Sequence, residues 1–183
     1  MHRIYPMLAV LLIGASLSLT ISASPEKEYL TEKEIAELQD AQEINARVKI
    51  YMEAAQLRLK AAEERLAGKE SSPGDPLEYF TPEDMLDGYY RILQSAITIL
   101  DDIFQHGGSG RDETGKALKT LKGAMEHAGK ELEILKKQAE EQKKEELWNL
   151  VNRATAITQG ALEGAEYGLT KLRALPDQKR LAR

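Results

Sequence analysis

The chain has 183 residues, no cysteine, and 25 basic against 30 acidic side chains, a net charge of −5. That length suffices for one domain with a full core, while the acidic balance argues against DNA or an anionic membrane surface as partner. Without cysteine there can be no disulfide, thiolate metal site or lipid-anchored lipoprotein.

Residues 1–23 have the character of a secretory signal peptide. Arg3 precedes an apolar run from Met7 to Ile13, and small residues follow, ending Ile21-Ser22-Ala23. Cleavage after Ala23 leaves a chain from Ser24 with 24 basic residues against 30 acidic ones, hence a net charge of −6. Retention as an anchor is the alternative, because Ile4 to Ser22 is 19 residues long, against the ~20 that span a bilayer. Gly14, Ser16, Ser18, Thr20 and Ser22 weaken that span. With no Asn-x-Ser/Thr sequon either, the expected location is periplasmic or secreted, in a bacterium. Residues 24–176 are expected to form one helical-bundle domain and residues 177–183 a flexible C-terminal tail.

Thr31 followed by Glu34 is a capping-box signature, and no helix breaker comes before Gly68. Leu38, Ala41, Asn45, Val48, Met52, Ala55, Leu59, Ala62 and Leu66 recur at alternating steps of three and four, a coiled-coil seam. The expectation is one unbroken helix, with Asn45 fixing its register against a neighbour. Gly68 to Phe80, with two glycines, two prolines and two serines, is a loop. Thr81 then serves as N-cap, Pro82 as first helical residue, and Glu83 and Asp84 as first-turn acids, with Phe80 and Met85 as a hydrophobic staple. Through His106 the apolar residues of this second helix cover four of seven heptad positions, so it needs neighbours on at least two sides. Gly107-Gly108-Ser109-Gly110 is a flexible turn.

Leu118, Leu121, Met125, Ala128, Leu132, Leu135 and Ala139 make a third seam. Glu126 with Lys130, Glu133 with Lys137 and Glu140 with Lys144 are i,i+4 pairs on its solvated face. The seam resumes at Leu147, eight residues after Ala139 instead of seven, which predicts a break near Glu141 to Glu145 or, alternatively, one long kinked helix. Along the fourth helix Gly160, Gly164 and Gly168 repeat every fourth residue, a ridge expected to lie under a bulky neighbour, and Pro176 stops the helix. The fold class is therefore all-α, an antiparallel bundle of four long helices, the third and fourth either separate or one kinked helix, preceded by a signal peptide.

Catalysis needs an activated nucleophile, an acid/base pair or a metal, and only His106 and His127 remain after Ala23. His106 follows Asp102, and Glu131 follows His127, by four residues, but neither Glu-x-x-His nor His-Glu-x-x-His occurs. A last-turn histidine is accounted for by the carbonyl end of the helix dipole. No enzyme, metal or cofactor is expected. Tyr79, Phe80, Tyr89 and Tyr90 instead cluster in 12 residues beside Asp84, Asp87 and Arg91, marking the bundle end near Thr81 for a ligand or partner. Trp148, beside the phase slip, is a further candidate anchor. The expected function is a non-enzymatic interaction or scaffold module of the bacterial envelope, binding another envelope protein or itself, with no nucleic acid and no stable membrane insertion. The alternative is a small-ligand or metal-binding bundle with its site among Asp87, Tyr89, Asp102 and His106.

Overall fold

The computed structural model describes residues 28–106 and 110–174, and among these it contains five helices and no strand. The signal-peptide and tail segments, 1–23 and 177–183, lie outside the described residues. The helices are α1 (Glu32–Asp40), α2 (Ile44–Leu66), α3 (Pro82–His106), α4 (Arg111–Glu141) and α5 (Glu145–Ala174). No helix among the described residues is long and apolar enough to cross a membrane.

The first expected helix is in fact two. Ala41 is extended at φ −76°, ψ 112°, and Glu43 at φ −83°, ψ 138°, so the backbone turns between α1 and α2 although Ala41, Gln42 and Glu43 include neither glycine nor proline. Tertiary contact imposes the break: α1 folds back along α2 so that Glu34 reaches Arg58. The seam itself survives, with Leu38, Val48, Met52, Ala55, Leu59, Ala62 and Leu66 all buried.

The capping signatures fold as their chemistry dictates. Thr31 Oγ1 accepts from Glu34 N while Glu34 Oε2 accepts from Thr31 N, and Thr81 and Asp84 exchange the same two bonds at the start of α3. The loop between α2 and α3 is held by Arg65, which donates to Ser71 Oγ and to the Leu77 carbonyl. The break after α4 falls where the eight-residue step predicts it. Lys144 N donates to Ala139 O and Lys143 N to Glu140 O, a Schellman closure that puts Lys143 at φ 54°. Ala139 and Leu147 both stay buried across it.

The four long helices form a square in which α2 packs on α3 and α4, and α5 packs on α3 and α4. Cross-helix bonds give the directions. Asn45 with Thr120 and Gln56 with Glu131 advance together, so α2 and α4 are parallel; Asp87 with Arg153 and Tyr89 with Thr158 show the same for α3 and α5. Trp148 with Glu140 and Lys122 with Glu166 run in opposite senses, so α4 and α5 form an antiparallel hairpin, as do α2 and α3. The bundle is thus two antiparallel hairpins laid side by side with like directions adjacent, not a ring of antiparallel neighbours. Thr120 Oγ1 donates to Asn45 Oδ1 at 2.8 Å, fixing the α2/α4 register as the polar seam position predicts.

The glycine ridge divides. A Cβ at Gly160 or Gly164 would meet nothing within 4 Å, so those two face open space. At Gly168 a Cβ would stand 3.0 Å from Leu118 Cδ1 and 3.0 Å from Phe104 Cζ, so of the three ridge positions only Gly168 lies under a close approach of α3 and α4.

Candidate functional site

The structure separates the four aromatic residues around Thr81, two of which precede α3 and two of which lie on it. Tyr79 sits on the loop, 82% exposed. Phe80 is half-buried beside Leu30 and Leu77, under the N-terminal segment. Tyr89 points inward, fully buried, and shares a 2.5 Å hydrogen bond with Thr158 Oγ1, whose hydroxyl also donates to Ala154 O. Burial pushes the Tyr89 phenol up to about 12, opposed by the Thr158 bond and aided by the charge of Glu131. This tyrosine is core and does not belong to a surface site.

Tyr90, one residue on and therefore about 100° around the helix, faces outward with Asp87 and Arg91. Arg91 Nε donates to Asp87 Oδ2 at 2.7 Å, and Gln94 Nε2 donates to the Tyr90 hydroxyl at 3.0 Å. A residue that sequence patterning missed completes the group. Arg153 of α5 lays its guanidinium 3.7 Å from the Tyr90 ring centre and reaches Asp87 Oδ1 at 3.8 Å. Nothing near Arg153 in sequence signals this, because only the parallel packing of α3 on α5 brings it there. Two guanidinium groups thus share one carboxylate beside an aromatic face, a cationic and aromatic patch.

That patch is one part of an open groove of 1080 Å³ along the outer face of α3, whose lining also includes Tyr29, Tyr51, Ile97 and Ile157. Tyr29 hydrogen bonds to Ser95 at 3.3 Å across it. Trp148 lies elsewhere: its Nε1 donates to Glu140 at 3.1 Å and Lys136 stands over its ring, so it braces the α4–α5 hairpin. Of the predicted residues, the structure unites Asp87, Tyr90 and Arg91, and places Tyr79, Phe80, Tyr89 and Trp148 apart from them.

The two histidines sit on different helices, His106 on α3 and His127 on α4. Asp102 and His106 pair at 2.9 Å, each 71% exposed, and His127 lies with Gln56 and Glu131 on the α2/α4 side. No group of three or more His, Asp or Glu side chains suited to holding a metal ion occurs among the described residues. No protein family, curated protein or solved structure matches the chain.

Proposed function

We propose that the chain is an exported, non-enzymatic interaction or scaffold module of the bacterial cell envelope, which engages a partner protein through the groove on α3. The observation that carries this is the outward cluster of Tyr90, Arg153, Arg91 and Asp87 in an open groove flanked by tyrosine and isoleucine. Tyrosine and arginine anchors with apolar surroundings are the composition that protein interfaces favour. A small-ligand site is better served by an enclosed, mostly apolar cavity, and the hydroxyl of the fully buried Tyr89 is already bonded to Thr158. Export rests on the composition of residues 1–23, and an envelope partner, another protein or a second copy, follows from export.

Photo-crosslinking in cells expressing the full chain tests the groove. A photoreactive residue at Gln94 should trap one discrete protein adduct, lost on Tyr90→Ala with Arg153→Ala, while the same probe at Glu163 on the far side of α5 should trap none. Equal labelling at both positions, or none at either, refutes the groove. Recovery of the intact residues 1–23 on the mature protein refutes signal cleavage.

A further inference from the structure

Two features of the first 66 residues pull against each other. The seam Leu38, Ala41, Asn45, Val48 runs through the α1–α2 break without losing step, and the break is built of alanine, glutamine and glutamate, all strong helix formers. Neither end at the break carries a side-chain cap: α1 closes on Ala41 with one backbone bond to Glu37, and Glu43 opens α2 with no side-chain bond. Local preference therefore favours one straight helix. Arg58 prevents it in a single chain. Its side chain is 1% exposed, and Glu34 gives it two bonds of 2.9 and 2.7 Å while Tyr29 O accepts a third. A straight helix would carry Glu34 about 36 Å from Arg58 at ~1.5 Å per residue, stranding a buried guanidinium.

Both demands are met together only when α1 comes from another molecule. We propose that two copies of this chain exchange α1: the segment Ala41–Glu43 straightens into helix in each, and Glu34 of one copy closes on Arg58 of the other. The interface needs no new chemistry, since every contact α1 makes in one chain is remade between two, and the hinge gains the helical bonds it lacked. Tyr29, which lines the α3 groove and bonds Ser95, travels with α1 and is replaced there by Tyr29 of the second copy, so the exchange keeps the groove and stands whether or not the groove holds a partner.

In-trans rescue tests this with the full chain. E34Q and R58M each break the pair within one molecule, but an exchanged heterodimer of the two contains one native Glu34–Arg58 pair. Refolding them together should give a species of twice the monomer mass by light scattering, melting above either variant alone. E43P provides the second arm: φ −83° at that position is near proline's own, whereas proline inside a straight helix is excluded, so this variant should fold and stay monomeric at concentrations where the parent chain dimerises. A mixture that melts as the sum of its parts and remains monomeric overturns the exchange. A dimer that persists in E43P also overturns it, and leaves self-association through the groove standing.

Discussion

Glu34 closes its own helix and neutralises another. The same carboxylate accepts Thr31 N at 2.7 Å, closing a capping box as the third residue of α1, and grips Arg58 from 24 residues away with both oxygens. Burial would raise its pKa, but the Arg58 hydrogen bonds, the Thr31 backbone bond and the charge of Arg58 outweigh that and hold the carboxyl below 4.5. Removing one partner of a buried pair typically costs ~3 to 5 kcal/mol, whereas replacing both with apolar residues is often nearly neutral. Arg58→Ala should therefore lower the denaturant midpoint sharply, and Arg58→Met with Glu34→Leu should recover most of the loss.

The depressed Glu34 carboxyl also sets an acid limb. Its contribution is present above the ordinary value of 4.5 and is lost as pH falls through the lower folded value. Unfolding free energy followed downward from pH 5 should fall less steeply in Glu34→Gln than in the parent chain. Parallel slopes would show that other carboxylates govern the limb.

Tyr89 sets the opposite limb. Its phenol is raised from 10.0 to about 12 by burial, so the native state keeps a proton that the unfolded chain releases, and stability declines across that interval. Two pH units correspond to about 3 kcal/mol at ~1.4 kcal/mol each. Tyr89→Phe should cost ~0.5 to 1.5 kcal/mol at neutral pH through the lost Thr158 bond and should flatten the decline above pH 10, read by urea titration at each pH.

The two kinds of glycine in α5 should respond oppositely. Gly164 faces open space, so Gly164→Leu exchanges a poor helix former for a good one and should raise the midpoint, by about 0.5 to 1 kcal/mol. Gly168 sits against Leu118 and Phe104, and Gly168→Leu should lose ~1 to 3 kcal/mol by overpacking. Equal effects at the two sites would contradict the divided ridge.

Lys143 holds φ 54° at the end of α4, where glycine carries no Cβ penalty. Lys143→Gly should stabilise the protein by about 1 kcal/mol, the order of the left-handed cost for an L-residue, visible as a higher melting temperature with an unchanged helical signal.

What the sequence by itself determined is whatever one or two turns of chain can decide. Thr31 and Thr81 cap because a hydroxyl sits three residues before a carboxylate; the α4–α5 break lies where the seam slips by one residue; and the apolar seam residues of α2 and α4 are buried as their steps of three and four require, whereas the second buried stripe of α2, with Tyr51 and Arg58, is not in that seam. The tertiary structure decided everything that depends on partners far apart in the chain. Leu38 to Ala62 reads as one helix until Arg58 is found buried and in need of a carboxylate, a demand that outweighs the backbone bonds forgone at Ala41 to Glu43. Tyr89 and Tyr90 are adjacent and chemically alike; the helix turns them about 100° apart, but only the position of α5 gives one Thr158 as partner in the core and the other Arg153 in the groove. Three glycines at one spacing differ for the same reason, because the approach of Phe104 and Leu118 reaches Gly168 alone. Periodicity states which face is apolar, and it carries no information on which neighbour covers that face or how closely.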